Sequence, residues 1–252
     1  MRYITPLREG GSLPALAEAD DGFKYVVKFS GAGHGPKALI AEFIGGMVAS
    51  RLGFRVPELV FLNLDEYFGQ SEGDEEIQDL LKASKGLNLG LHYLSGAFTV
   101  DPYVNRMDPD TASRLVWLDA FLTNVDRTVR NPNMLMWNGD LWLIDHGASL
   151  IFHHAWSDPM KAALSPFPYI KDHALLPFAS RLEEADKAMR QKITPRTLEK
   201  IVDLLPEEWL NWPDTDLTPE QIRQTYKLYL TERLKNSSIF VKAAQDARKS
   251  LI

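Results

Sequence analysis

NVDRTVRNPNMLMWNGDLWLIDHG, residues 124–147, sets two carboxylates and two amides around a short hairpin. Met134 to Trp137 and Leu141 to Ile144 read as strands, and Asn138-Gly139 supplies the turn, since both residues tolerate positive φ. Asn133 stands directly ahead of the first strand and Asp145 directly after the second, so the two lie at the same end of the ribbon. Asp126 sits on the loop before the hairpin, and Gly147 lets the backbone leave sharply. Transfer of a phosphoryl group needs a carboxylate beside the attacking oxygen and hard oxygen ligands that hold Mg²⁺ on the nucleotide's phosphates. Asp126 fits the first need, and Asn133 with Asp145 the second. Taken singly, the pieces are commonplace: Asp-Arg at a helix end is a cap or surface ion pair, Asn-Pro-Asn is a turn, and Ile-Asp-His-Gly is a strand exit. Their order and spacing point to the chemistry.

In that order the residues resemble the protein-kinase-like superfamily, and within it the HipA-like kinases and their phosphatidylinositol-kinase-like relatives: Asp126-Arg127, a short loop, an Asn, a hairpin, and Asp145-His146-Gly147. The resemblance implies an α+β, two-lobed protein-kinase-like fold, with a mixed α/β N-terminal lobe on an antiparallel sheet and a mostly helical C-terminal lobe. It implies ATP and Mg²⁺ as cofactors, Asp126 as the group that positions or deprotonates the acceptor hydroxyl, and Asp145 as a metal ligand. Two readings stand for the amide. Kinase catalytic loops place Asn five positions after Asp, which picks Asn131. Strand register picks Asn133, which runs straight into Met134-Leu135-Met136. Asn133 is the preferred metal ligand, on a loop two residues longer than usual, and Asn131 is the alternative within the nucleotide site. His146 departs from the pattern, standing where many kinases carry Phe.

Toward the N-terminus, Arg2 to Leu7 and Phe23 to Phe29 read as strands, the second rich in β-branched and aromatic residues. Lys28 lies inside that apolar strand, where a charge needs a partner or a solvent face. The resemblance makes it the phosphate-binding lysine, and makes Gly10, Gly11 and Ser12 a loop whose backbone N–H groups approach the nucleotide phosphates. Pro36 opens a helix that runs to about Leu52, with Gly53 as its stop. Ile40, Ile44, Met47 and Val48 form its apolar stripe. Glu42 lies on another face beside Ala38, Gly45, Gly46 and Ala49, small residues that permit close approach to the sheet. The resemblance pairs Glu42 with Lys28. Phe54 to Leu62 leads into a further strand, residues 65–85 form an acidic connection with a short helix near Ile77 to Lys82, and Leu87 to Val100 returns to strand character. In the kinase reading the end of that segment is the hinge, where backbone groups between His92 and Ala97, those of Tyr93 and Leu94 included, meet adenine.

Toward the C-terminus, Asp108 caps a helix to about Asn124 whose apolar residues cover most of its circumference, a rigid post for the loop that follows. Arg127 reads as a surface charge that would support the loop or contact phosphate. Residues 148–156 take the place of an activation segment. Its His153-His154 pair, on extended chain, points to opposite faces, and with no third ligand evident it reads as structural or substrate-facing. Ser180, Thr194, Thr218 and Ser237 each precede a helix, and Trp209 and Trp212 pack among them.

The chain has 252 residues, enough for two lobes, read as 1–97 and 98–252. A 45% hydrophobic and 25% charged composition excludes disordered and fibrous classes. A formal net charge of −6 argues against direct nucleic-acid binding. Cys is absent, which excludes disulfides and thiolate chemistry. Neither a signal-peptide core nor an apolar run of membrane-spanning length stands in the sequence, so a cytoplasmic location without membrane binding is expected. The reading is an ATP- and Mg²⁺-dependent kinase acting on a hydroxyl, with Ser/Thr of a protein favoured, and an antitoxin-like protein as a further possible partner. Two rivals stand beside it: a nucleotide-binding pseudokinase or interaction module, and protein nucleotidylation on the same scaffold.

Overall fold

Alternation along Lys24–Lys28 fixes how the N-terminal part is layered. Tyr25 and Val27 are buried on one face, while Val26 packs toward the main core on the other, and Lys28 shares that second face. The computed structural model describes residues 1–7, 13–70, 72–105 and 107–251. Strands β1 (Arg2–Pro6), β2 (Ala15–Glu18), β3 (Lys24–Lys28), β4 (Leu59–Leu64) and β5 (Gly86–His92) form one antiparallel sheet in the order β1-β2-β3-β5-β4. Helix α1 (Gly35–Leu52) joins β3 to β4, and α2 (Glu75–Ala83) joins β4 to β5. Pro36 lies in the first turn of α1, and Gly53 stops the helix at φ 92°, its N–H returning to Ala49 and Ser50 carbonyls.

The helical part begins on a second sheet, β6 (Phe98–Thr99), β7 (Met134–Trp137) and β8 (Asp140–Leu143), antiparallel throughout. Asn138 and Gly139 turn the β7–β8 hairpin at φ 50° and 82°, the left-handed pair that its two-residue loop requires. Helix α3 (Pro109–Leu122) is capped by Asp108, which accepts the Asp110 and Thr111 N–H groups. Every residue from Leu115 to Leu122 is buried, Asp119 among them. Among the described residues six further α-helices follow: α4 (Phe152–Ala155), α5 (Pro159–Ala163), α6 (Leu182–Lys192), α7 (Pro195–Asp203), α8 (Pro219–Lys235) and α9 (Ser238–Lys249). Arg233 of α8 is fully buried and donates to the carbonyls of Ala120, Phe121, Ala163 and Ser165. A guanidinium thus satisfies the orphan carbonyls at the C-terminal end of α3, where a cation is also favoured by the helix dipole.

One apolar core runs from α1 and β5 through α3 to α9, so α1 packs with the helical part as well as with the sheet. The opposite face of the sheet, under α2, has its own small cluster built on Ala15, Ala17, Tyr25, Val27, Phe29 and Leu64.

Several local expectations change. Strand β2 is not announced by its sequence, because Ala-Leu-Ala-Glu carries little strand propensity and is held by neighbours on both sides. Residues 87–100 are not one strand: β5 ends at His92 and β6 resumes only at Phe98. The segment expected to be extended around His153-His154 is the short helix α4, so the two rings are not on opposite faces of a strand. Neither Ser180 nor Ser237 caps a helix with its hydroxyl, whereas Thr194 does and Thr218 forms a full capping box with Gln221.

Candidate active site

The ammonium of Lys28 joins two elements that are distant in sequence. It donates to Glu42 Oε2 of α1 at 2.8 Å and to Asp145 Oδ1, just past β8, at 2.5 Å. Only 12% of the Lys28 side chain is exposed. Burial alone would pull this ammonium down, but the carboxylates of Glu42 and Asp145 hold it above the ordinary lysine value. Burial likewise pushes the Asp145 carboxyl up, yet Lys28 outweighs it and keeps the group below the usual carboxylate range. Asp145 therefore stays ionised while 41% of its side chain faces solvent.

Asp145 and Asn133 both adopt left-handed backbone, φ 54° and 48°, at the open end of the hairpin. Among non-glycine residues Asp and Asn tolerate that region best, which is a local reason for these two types here. Arg127 Nη1 ties the same end together, donating to the Asn133 carbonyl at 2.5 Å and to the Ile144 carbonyl at 3.5 Å. Arg127 is not a surface charge: it is buried, and its Nε donates to Asp119 Oδ2 at 2.6 Å. Asp119 also accepts from His173 Nε2 at 2.9 Å and from Asn124 Nδ2 at 3.0 Å. His173 Nδ1 takes the Leu175 N–H, so Nε2 carries the proton that Asp119 accepts. Burial would raise the Asp119 carboxyl, but Arg127 and His173 drive it well below the ordinary range. Sequence reasoning missed Asp119 and His173. For Asp119 a signal existed, a carboxylate amid Leu115 to Leu122 that must find a partner if buried.

On this support stands Asp126, partly buried, its N–H bonded to Asn124 Oδ1. Its Oδ2 accepts Asn131 Nδ2 at 2.8 Å and Asn133 Nδ2 at 3.4 Å, so both candidate amides meet the same carboxylate. Burial first, and the charge of Asp145 second, push the Asp126 carboxyl above its ordinary value. Asn133 is buried and Asn131 exposed. Among the described residues no donor reaches Asn133 Oδ1.

His146 is buried between α1 and the loop, and burial holds its imidazole down to about 3, hence neutral. Its backbone N–H bonds Glu42. A Cβ on Gly45 would collide with His146 Cβ, and one on Gly46 would meet Leu59 Cδ1 at 2.8 Å. The small residues of α1 thus admit His146 as well as the sheet.

Lys28, Asp126, Asn131, Asn133 and Asp145 all line one cleft of about 1870 Å³, together with apolar Val26, Leu91, Leu94, Met134 and Ile144. Tyr93 and Leu94 line it too, but the Tyr93 N–H is taken by the Lys24 carbonyl, and Leu94 O receives the Ala97 N–H. Glu42 stands behind Lys28, 1% exposed. Gly10, Gly11 and Ser12 lie outside the described residues. Among those described, no cluster of three or more His, Asp or Glu is placed to hold a metal. His153 instead shares a 2.8 Å hydrogen bond with Tyr226.

A family model for HipA-like kinases matches residues 1–238. The chain belongs to the HipA-like kinase family. No curated protein sequence matches it. The crystal structure of a Helicobacter pylori proinflammatory kinase, CtkA, is similar with a TM-score of 0.52 and 13% identity, covering 99% of this chain and 97% of that one. At that identity the likeness is one of fold, and it agrees with the α+β arrangement expected of a HipA-like kinase. No helix among the described residues is long and apolar enough to cross a membrane.

Proposed function

We propose that this HipA-like kinase transfers the γ-phosphate of ATP, in the presence of Mg²⁺, to a hydroxyl acceptor, Ser or Thr of a protein. The carrying observation is the Lys28 ammonium held between Glu42 and Asp145 in the cleft that Asp126 also lines. In this reading residues 1–97 roof the nucleotide and residues 98–252 carry the loop and hairpin. Val26, Leu94, Met134 and Ile144 would enclose the base, and the Leu94 N–H, which meets no acceptor among the described residues, would meet its edge in place of that of Tyr93. Lys28 would bind phosphate oxygens once the nucleotide draws it from Asp145, with Glu42 keeping its charge and direction. Backbone N–H groups of Gly10, Gly11 and Ser12 would serve the phosphates.

The donor set fits a hard divalent cation: an ionised, half-exposed carboxylate on Asp145 and an amide oxygen on Asn133 that no donor occupies. Bound there, Mg²⁺ would neutralise charge on the transferring phosphates. Asp126, its carboxyl raised above the ordinary value by burial and by Asp145, would accept the acceptor's proton, and Asn131 would orient it. A cleft of about 1870 Å³ exceeds the ~300–1,000 Å³ of an ordinary small-molecule pocket, which leaves room for an acceptor segment beside the nucleotide.

The test is phosphate transfer from γ-labelled ATP, with Mg²⁺ or with a chelator, followed by mass spectrometry of the modified protein. Added phosphate is expected, and an added nucleoside monophosphate would favour nucleotidylation instead. Asp126→Ala should lower kcat by about 10²–10⁴-fold, the range of a lost general base. Asp145→Ala should also lose Mg²⁺-dependent ATP binding. Equal inertness of wild type and both variants would overturn the enzyme reading in favour of a pseudokinase.

A further inference from the structure

Helix α1 carries Glu42, so whatever fixes α1 also fixes the Lys28–Glu42 pair. The helical part grips it along its length. At its C-terminal end Arg114 and Lys192 donate to the Leu52 carbonyl at 3.2 and 3.0 Å. Midway, the Phe43 ring lies edge-on to Trp209 at 6.5 Å. At its N-terminal end the Lys37 ammonium stands 4.4 Å from the centre of the Trp212 ring and 3.5 Å from Asp214. Trp212 is 8% exposed, and its Nε1–H donates to the Trp209 carbonyl. Its ring meets Trp156 at 4.7 Å, at the end of the segment that follows Asp145-His146-Gly147.

Lys37 occupies the first turn of α1, where a cation opposes the helix dipole and where no acidic residue offsets it. A lysine there would ordinarily turn to water. This one keeps only 17% of its side chain exposed and lays its charge on an aromatic face. Asp214, two-thirds exposed, adds little to that contact. The unfavourable end of the helix is thus fastened by a cation–aromatic contact to a ring that is itself buried and hydrogen-bonded.

We propose that Lys37 and Trp212 form a clamp through which the chain just before α8 holds α1 in the pose that pairs Glu42 with Lys28, making Lys37 a positioning residue for phosphoryl transfer. The proposal rests on the kinase reading of Lys28 and Glu42. Lys37→Ala should speed amide hydrogen exchange across residues 35–45 in the unliganded protein and lower kcat about fivefold, the worth of a partly buried cation–aromatic contact. Lys37→Arg should restore both, because a guanidinium keeps the charge on the ring. In a Glu42→Gln background Lys37→Ala should add no further loss of kcat, since both act on one ion pair. Unchanged exchange in Lys37→Ala would overturn the clamp, and so would a lowered melting temperature with kcat retained, failure of Lys37→Arg to rescue, or full additivity with Glu42→Gln. Should wild type transfer no phosphate at all, the exchange measurement alone decides the clamp, so its failure and that of the kinase reading remain separate results.

Discussion

The loop bearing Asp126 and the outer strand β1, which is paired with β2, line the same cleft, but different forces hold them. The loop stands on buried charge: Arg127, Asp119 and His173 interlock beneath it, and Arg233 closes the helix from which it springs. The outer strands rest on a small apolar cluster led by Ala15, Ala17 and Tyr25, and their edge carries an exposed Arg2–Glu18 ion pair at 2.6 Å. A network of desolvated, directional bonds admits one arrangement, whereas a thin apolar contact tolerates small shifts. The floor of the cleft is therefore fixed, and adjustment falls to the roof.

Replacement of one member of the buried network would break this contrast most severely. Asp119→Asn should cost about 3–5 kcal/mol in denaturant unfolding, because it leaves the Arg127 charge buried without its counter-ion. The pH dependence has a definite sign. The Asp119 carboxyl is depressed in the folded state, so its stabilisation is full above the ordinary carboxylate value of 3.8 and fades as pH falls through the lower folded value. Acid unfolding of Asp119→Asn should lack that contribution, and an identical acid limb in both proteins would refute it.

Smaller effects sharpen the comparison. Gly45→Ala should destabilise by about 1–3 kcal/mol, since its methyl meets the Cβ of His146, an atom too close to the backbone to yield. A melting temperature equal to wild type would show that α1 shifts more freely than the floor. The two amides should separate under titration with Mg²⁺ in the presence of ATP: Asn133→Ala weakens metal binding by about tenfold or more, and Asn131→Ala leaves it nearly intact. The reverse result would move the ligand role to Asn131. At the roof, Arg2→Ala should change stability by less than about 0.5 kcal/mol, as exposed ion pairs do.

The parts legible in the sequence are those whose causes are local. Asn138-Gly139 announces its turn, Pro36 and Gly53 bracket α1, and Asp108 and Thr218 cap their helices, so the hairpin and the main helices follow from short-range chemistry. Lys28, Glu42 and Asp145 could be brought together only through resemblance, because nothing near any one of them specifies the other two. Strand β2 escaped notice because alanine is a poor strand former and only pairing with β1 and β3 makes it one. Arg127 looks like a surface charge because nothing near it in sequence marks Asp119, 8 positions back, as its buried counter-ion, or His173, 46 positions ahead, as that carboxylate's other donor. The four-residue α4 is too short for any periodicity to declare it.

Arg233 carries a consequence for how such a chain can be shortened or recombined. Its five donors belong to a helix more than a hundred positions downstream of the carbonyls they satisfy at Ala120 and Phe121. Cutting the chain ahead of α8, or grafting a tail with lysine at this place, would expose or orphan those carbonyls six and five residues before Asp126. The C-terminal third is thus no detachable appendage, and any chimera that preserves the loop must inherit the guanidinium with it.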